Sequence, residues 1–440
     1  NRLDEFYEAL AFHFKNGAST DKAIYYLTKA AEKCFDRYAV EEAHRHFKEA
    51  YDLLCPMVGQ VKGADVQFID LLIKWAYVFY FRGDFKGLTK LLESHKELAE
   101  SLGDKARLGM YYAWLGFALS VGLNLRDSYN YLHKAIQIGE DTRNERLVGY
   151  ANMWISWTCA WMGLLEAAVA SAQKAQEICR NFEEDQYLYY KSLAGLGYAY
   201  ILLGQRRKVC EVGEALLEYS LRRGSIRGEV MGHFIIANSF VMAGDYPSAI
   251  LHCQQGVEIS MDPFYSIMAK GQLAQSYMFS GQFQEAEGLL QESLLFGQEF
   301  AGEQIEITGR FALCMTSLIR GETQALTTAE DLLRKMQETG FRAFYLMFCN
   351  ALAMALSFMV GIMPDATQKS KDYREKAIEM AREIGAKYSL SIACLAQGQL
   401  YLAEGDKDKA RQYFSEAVPL LEQCERKDPL QQAKEALKSL

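Results

Sequence analysis

Proline is scarce in this sequence, with six in 440 residues. No stretch alternates apolar and polar residues over more than a few positions, which is the pattern of a half-buried strand. Half of the residues are hydrophobic, and Ala, Leu, Glu, Gln, Lys and Tyr are abundant. Because helix breakers are rare and nothing indicates a sheet, the composition predicts an all-α protein.

Positive charge is also in short supply. The formal net charge is −8, and Lys and Arg are scattered apart from short clusters such as QRRK at 205–208. A surface that binds nucleic-acid phosphates is normally basic. We therefore expect no nucleic-acid partner.

Closely spaced cysteines are missing. The nearest two of the ten, Cys159 and Cys179, are twenty positions apart, and no C-x-x-C occurs. Most of the cysteines lie among apolar helical residues. This usage predicts buried free thiols in a reducing compartment, and hence a cytoplasmic protein.

Catalytic motifs are absent too. There is no G-x-x-x-x-G-K-[ST] phosphate loop and no H-E-x-x-H. His44 and His46 would point to different faces of a helix, which favours a solvated pair over a metal site. His233 and His252 are expected to be core or groove histidines. The sequence thus predicts a chain that is not an enzyme and holds no cofactor or metal.

The beginning of the chain carries no signal peptide. The sequence starts at Asn1, and residues 3–14 already have the pattern of a helix interior. We expect the chain to be a fragment of a longer protein.

One long apolar run imitates a membrane span. In residues 344–363 only Asn350 and Ser357 are clearly polar, and twenty residues match a bilayer. The alternative is a helix buried inside a helical array. We favour this alternative because the run is in step with the repeat described next, and we expect no membrane insertion.

A short motif recurs along the chain: a helix ends at Gly, and a small residue opens the next helix about five positions later. The interval between successive turn glycines ranges from 37 residues (Gly244 to Gly281) to 44 (Gly361 to Gly405). A left-handed glycine commonly closes a helix, so each glycine predicts a helix–turn–helix unit. The turn glycines are Gly83, Gly122, Gly163, Gly204, Gly244, Gly281, Gly321, Gly361 and Gly405.

Small residues recur at fixed distances from these turns. Ala410, Phe414 and Ala417 follow Gly405, while Gly398 and Tyr401 precede it. Small residues at crossings let helices pack closely. The pattern resembles the tetratricopeptide repeat, most clearly at 388–424, although the period is nearer forty than thirty-four. This resemblance implies a right-handed α-solenoid of about eleven helix pairs.

Residues 10–54 differ from the rest and hold two tighter units, with Leu27, Ala30 and Ala31 followed by Ala43 and Phe47. This segment resembles the one that follows the ATPase module in STAND-type ATPases and class III nucleotide cyclases. We expect two short units in 1–55, a joint at 55–63, the long-repeat solenoid in 64–427 and a capping helix in 428–440. Asp428 and Pro429 are expected to open the capping helix.

Three of the five tryptophans, Trp154, Trp157 and Trp161, form one stripe of a predicted helix. In tetratricopeptide arrays the first helix of each unit lines the concave groove, and the family's register places this stripe there. Applied to the turns at Gly83, Gly163, Gly244 and Gly281, the register gives these candidate groove residues: Tyr77, Phe81, Tyr150, Met153, Trp154, Trp157, Trp161, Phe234, Asn238, Met242, Gln272, Gln275 and Phe279.

This groove is richer in aromatic residues and methionine than a solvated surface should be. A tight superhelix whose inner faces touch would explain it. So would a channel that binds a peptide, a helix or another domain of the same polypeptide, or a small-molecule sensor pocket.

The function that the sequence favours is a non-catalytic protein-interaction scaffold or sensor arm. The resemblance implies the C-terminal region of a larger signalling ATPase or nucleotide cyclase. The alternatives are the ligand-sensing superhelix of a bacterial transcriptional regulator and a free-standing adaptor subunit.

Overall fold

The computed structural model describes residues 2–17, 19–182 and 184–440. Within them lie 23 α-helices, two short 3₁₀ helices (Arg2–Phe6 and Cys55–Met57), a π-helical turn (Gly297–Ala301) and no strand. The α-helices are α1 Tyr7–Asn16, α2 Thr20–Asp36, α3 Val40–Leu54, α4 Ala64–Arg82, α5 Phe85–Ser94, α6 Lys96–Ser101, α7 Lys105–Val121, α8 Leu125–Asp141, α9 Glu145–Trp161, α10 Leu165–Cys179, α11 Gln186–Leu203, α12 Arg206–Arg223, α13 Ile226–Ala243, α14 Tyr246–Ile259, α15 Pro263–Phe279, α16 Phe283–Phe296, α17 Glu303–Ile319, α18 Ala325–Glu338, α19 Arg342–Ser357, α20 Ala366–Ile384, α21 Lys387–Ala403, α22 Lys407–Gln423 and α23 Lys427–Ser439.

The helices pair into ten consecutive hairpins, with α1 before them and α23 after them. Hairpin 1 is α2–α3, hairpin 2 is α4 with the broken helix α5–α6, and hairpins 3 to 10 run from α7–α8 to α21–α22. First helices of successive hairpins also touch, for example α7 with α9 and α9 with α11. The predicted all-α solenoid is confirmed, and its first helices line the inside.

The turn glycines act as predicted, with one exception. Eight of the nine have a positive φ, such as Gly405 at +83°, where Asp406 then caps α22 by accepting from the Lys409 N–H. Gly122 instead has φ −84°, and Leu123 takes the left-handed conformation at +62°. At that turn the expectation for Gly122 is wrong by one residue.

The small residues permit close packing. A methyl group on Gly398 would lie 2.9 Å from the Phe414 ring, and Ala410 and Ala417 are fully buried. The helix crossing within hairpin 10 therefore requires the spacing that the sequence shows.

The long apolar run divides into two parts. Residues 344–357 belong to α19, but 358–363 form the turn to α20, where Phe358, Val360 and Ile362 are more than half exposed. Gly361, at φ +88°, accommodates this turn. Among the described helices, none combines the length and apolar character that a membrane crossing needs. At the C-terminal end, α23 begins at Lys427 after Arg426, so Asp428 is not its N-cap.

The array coils tightly enough for its turns to touch. A hairpin contacts the one five units later: α4 meets α15, α9 meets α19, and α11 meets α21. Arg426, before α23, donates to the carbonyl of Met242 at 2.9 Å and to the Tyr388 hydroxyl at 2.9 Å. The superhelix thus makes about two turns in direct contact with each other.

Candidate binding groove inside the superhelix

The tryptophan stripe of α9 lies on the inner face and is covered. Trp154, Trp157 and Trp161 are 3%, 9% and 7% exposed. Trp154 lies 4.1 Å from the ring centre of Phe117 in α7, and Trp157 stacks on Tyr198 of α11 at 4.9 Å. Neighbouring hairpins therefore cover the first two rings.

Trp161 has a different kind of neighbour. Its indole stacks on Phe341, with ring centres 5.7 Å apart and planes 20° apart. Phe341 directly precedes α19, five hairpins farther along the chain. At this level the two turns of the superhelix meet through aromatic rings. This arrangement agrees with the first explanation of the aromatic groove, a tight superhelix whose inner faces touch.

A lysine is enclosed by this aromatic wall. Lys191 of α11 is 4% exposed, and its Nζ lies 4.6 Å from the Trp157 ring, 5.2 Å from Trp154 and 5.3 Å from Tyr80. The ammonium donates to the Tyr80 hydroxyl at 2.9 Å. Burial lowers the pKa of Lys191 to about 7, while cation–π attraction offsets part of the cost of enclosing the charge.

Tyrosines continue the interior. The Tyr80 and Tyr265 hydroxyls are 3.5 Å apart, and Tyr77 donates to Tyr150 at 2.8 Å. Tyr150 in turn donates to Asp185 at 2.9 Å. Burial holds the pKa of Tyr80, Tyr150 and Tyr265 well above the usual value, so these phenols stay neutral donors.

A buried ion pair joins α13, α15 and the first hairpin. The Arg227 guanidinium makes two 2.8 Å hydrogen bonds to Asp262, whose side chain is 2% exposed. The same guanidinium lies 3.8 Å from the Phe81 ring, 4.3 Å from Phe35 and 4.7 Å from Tyr38. Its charge is thus enclosed by one carboxylate and three rings.

The structure places the thirteen candidate groove residues in two groups. One group is buried in the interior just described; the other keeps access to solvent. The buried residues are Phe81, Tyr150, Met153, Trp154, Trp157, Trp161, Met242 and Gln272; Tyr77, Phe234, Asn238 and Gln275 are half-buried; Phe279 is 41% exposed.

An open cleft of about 280 Å³ remains where α2 faces α4. The Lys74 ammonium bonds the Glu32 carboxylate at 2.7 Å at its edge. The cleft combines rings with charges of both signs, and its lining is Glu32, Phe35, Asp36, Phe47, Lys74 and Tyr77.

A second hollow, between α13, α14 and α15, is too small for a ligand. Its volume is about 10 Å³, roughly one water. His233 and His252 lie beside it with their Nδ1 atoms 3.0 Å apart. Burial, together with His252, lowers the pKa of His233 to about 4, so the ring is neutral at pH 7. The expectation of core or groove histidines fits this placement.

His44 is not one of a solvated pair. Its Nδ1 lies 3.2 Å from the Trp75 Nε1, which donates to it, and burial lowers the pKa of the ring. The expectation of a solvated His44–His46 pair is wrong, because Trp75 of α4 packs over His44.

The candidate groove residues omit Lys191 and Tyr198, although the sequence carries a signal for both. They lie thirteen and six positions before Gly204, and the groove register selects both when it is applied to that turn. Arg227 and Asp262 had no such signal. Both lie at helix starts, and only the superhelix brings them to Phe35 and Phe81.

Comparison with known proteins gives the fold. No protein-family model and no curated protein matches the chain. A Rap protein complexed with Competence and Sporulation Factor is 13% identical, over 81% of this chain and 98% of its own, with a TM-score of 0.56. NprR in complex with its cognate peptide NprX is 12% identical over the same shares, with a TM-score of 0.54.

A third similar structure is a signal transduction ATPase with a tetratricopeptide repeat sensor from Pyrococcus horikoshii. It is 18% identical and covers 78% of this chain and 53% of its own, with a TM-score of 0.43. At these identities the likeness concerns architecture. The chain has the fold of a tetratricopeptide-like helical superhelix.

Proposed function

We propose that this chain is a non-catalytic sensor arm or scaffold that binds a peptide or a short segment of a partner protein. The observation that carries the proposal is the open cleft between α2 and α4 at the inner wall of the superhelix. Two proteins of this fold are known in complex with a factor or a peptide: a Rap protein with Competence and Sporulation Factor, and NprR with its cognate peptide NprX.

The chemistry of the cleft suits a peptide. Its volume of about 280 Å³ accommodates one or two side chains, near the lower end for ligand sites. Phe35 and Tyr77 line the cleft with aromatic carbon that an apolar side chain could contact. Lys74 and Glu32 can exchange their mutual ion pair, which is exposed and contributes little stability, for contacts with a peptide backbone or charge.

The solvent-accessible groove residues Phe234, Asn238, Gln275 and Phe279 extend the proposed contact surface along α13 and α15. The tryptophan stripe has a different role in this proposal: it forms the internal wall against which the two turns pack.

Selection from a phage-displayed library of random dodecapeptides tests the proposal. We expect enriched peptides whose affinity, measured by titration calorimetry, falls at least tenfold in Lys74→Glu. The matched control is Lys174→Glu on the outer helix α10, because Lys174 also forms an exposed ion pair, with Glu140. No enrichment over an empty support, or equal losses in both variants, would contradict a peptide site in this cleft.

The upstream context is part of the proposal. We propose that a cytoplasmic ATPase or nucleotide cyclase module precedes this array in the full polypeptide, on the resemblance of residues 10–54. The coding sequence upstream of Asn1 tests it: a phosphate loop or a cyclase motif supports the proposal. A DNA-binding motif there would favour a transcriptional regulator instead, and a start codon close to Asn1 would favour a free-standing adaptor.

The net charge of −8 favours a protein or peptide partner over a nucleic acid. Purified alone, the chain is expected neither to hydrolyse nor to cyclise ATP. A phosphate-release or cyclic-nucleotide assay with turnover that follows the protein peak through gel filtration would contradict the non-catalytic proposal.

A further inference from the structure

Three metal-binding side chains converge at the first helices. Glu8 of α1, Cys34 of α2 and His46 of α3 each place one ligand atom within 4.8 Å of the ligand atoms of the other two. Residues 26 and 12 positions apart are brought together only by the packing of three helices. A local spacing motif therefore does not reveal the cluster.

His46 carries an unusual buried atom. Its Nδ1 is shielded from solvent and has no hydrogen-bond partner within the described part of the chain. Buried polar atoms in native proteins are almost always bonded, so an atom of this kind needs an explanation. Beside it, Cys34 is 9% exposed.

The local charge around Cys34 is suited to a cation. The carboxylates of Glu8 and Glu42 act on the Cys34 sulfur more strongly than the positive charges of Lys33 and Arg37 do, so the charge around it is negative on balance. Glu42 lies four residues before His46 and so on the same face of α3. A divalent cation would relieve the repulsion among these groups and bind the thiolate.

The donor set selects the metal. One sulfur, one imidazole nitrogen and one carboxylate oxygen are ligands that Zn²⁺ accepts in a tetrahedral site, whereas Ca²⁺ and Mg²⁺ prefer oxygen alone. We propose that Glu8, Cys34 and His46 bind one Zn²⁺ ion, with the fourth position filled by water.

The site is structural. Helix α1 has ten residues and buries only Ala11 among them, so hydrophobic packing holds it weakly. One ion bonded to α1, α2 and α3 ties this helix to the first hairpin.

Cobalt substitution tests the proposal directly. The chain, kept reduced and stripped with EDTA, is titrated with Co²⁺ and then with Zn²⁺. We expect one Co²⁺ per chain with a sulfur-to-cobalt charge-transfer band, its displacement by Zn²⁺, and a melting temperature about 3 °C or more higher with Zn²⁺.

Matched variants locate the ion. Cys34→Ser and His46→Gln should abolish the charge-transfer band or weaken binding at least tenfold. Cys210→Ser and His133→Gln should leave the band unchanged, because both residues lie on other helices away from the cluster. A wild-type chain without the band, or a band that persists in both ligand variants, would overturn the proposal.

Glu8→Ala and His46→Gln test the site even if Cys34→Ser fails to fold. Glu8 is exposed, so Glu8→Ala should fold normally and bind Zn²⁺ at least tenfold more weakly. If Cys34→Ser fails to fold, unchanged Zn²⁺ affinity in both Glu8→Ala and His46→Gln would overturn the proposal.

Discussion

Lys191 is a single buried lysine in the aromatic interior, and it lowers the stability of the folded chain. Its pKa is about 7 in the folded chain against 10.5 in an unfolded one, because burial penalises the charged form. Between about pH 7 and pH 10.5, Lys191 is protonated in the unfolded chain and neutral in the folded chain. The contribution of Lys191 to stability therefore falls as the pH is lowered from about 10.5 to 7, and it is constant below that range.

Lys191→Met should therefore stabilise the chain at pH 7. Each pKa unit of the shift corresponds to about 1.4 kcal/mol of unfolding free energy. The variant also loses the Tyr80 hydrogen bond and the ring contacts, so we expect its unfolding free energy to rise by a net amount on the order of 3 kcal/mol. Urea denaturation at pH 7 and at pH 10.5 measures it. At the higher pH the penalty for burying the charge is nearly gone, so the gain should disappear and the lost Tyr80 hydrogen bond should leave a small net loss. Lys174→Met, at an exposed lysine, should change stability little at either pH; a Lys191 variant no more stable than the wild type at pH 7 would contradict the argument.

Trp157 behaves as a core residue in the structure, since it is 9% exposed and stacked on Tyr198. Trp157→Ala should cost roughly 3–5 kcal/mol, the usual loss on truncating a buried tryptophan. The overpacked variant Ala168→Leu, at a fully buried alanine of α10, gives a reference loss of about 1–3 kcal/mol. Thermal melts compare the two, and a Trp157→Ala chain as stable as the wild type would mean that the ring lies free in a groove.

At the scale of helices, the contribution of an ion pair to stability depends on whether the pair is buried or exposed. Arg227 and Asp262 join the starts of α13 and α15 beneath α2, in a buried site. Asp262→Ala leaves the guanidinium buried and uncompensated, which costs roughly 3–5 kcal/mol. Hydrogen exchange should show α2 and α3 losing protection first, because Phe35 and Tyr38 pack on that guanidinium.

The pair Arg382–Glu416 provides the control for this experiment. It is also two-pronged, but its side chains are 46% and 29% exposed. Glu416→Ala should cost at most about 1 kcal/mol. Equal costs for the two variants would show that burial of the Arg227–Asp262 pair is not what fixes hairpin 1.

Sequence patterns could predict the helices because each turn is a local event. A glycine with positive φ, followed by a small residue on the next helix, is repeated often enough to give the period. This prediction from glycine positions fails at Gly122, because the residue with the left-handed backbone conformation at that turn is Leu123. It fails again in 344–363, where hydrophobicity alone could not reveal that α19 ends at Ser357.

At the scale of the whole molecule, the sequence predicts which face each first helix turns inward but not how tightly the array coils. The small rotation between hairpins sets the pitch, and it accumulates over five units before Trp161 meets Phe341. No local spacing encodes that distance. For this reason the stripe could be placed in the groove from sequence, while its burial by the next turn could not be derived.

Contact between the turns can be tested at two glycines that share a backbone conformation. Gly204 has φ +75° and Gly405 has φ +83°, so alanine at either position pays a similar strain of about 1 kcal/mol. The surroundings differ. A methyl carbon on Gly204 would lie 2.7 Å from the backbone nitrogen of Tyr388 in the next superhelical turn, whereas on Gly405 it would meet nothing within 4 Å.

Gly204→Ala should therefore force the two turns apart, since backbone atoms cannot yield as a flexible side chain can. We expect a lower melting temperature than in Gly405→Ala and a larger radius of gyration by small-angle X-ray scattering. Gly405→Ala should keep the wild-type radius and lose only the stability that its own backbone strain costs. If the two variants have the same radius and the same melting temperature, the turns of the superhelix do not rest on each other in solution, and the inner wall of aromatic rings would then be open to a partner along its length.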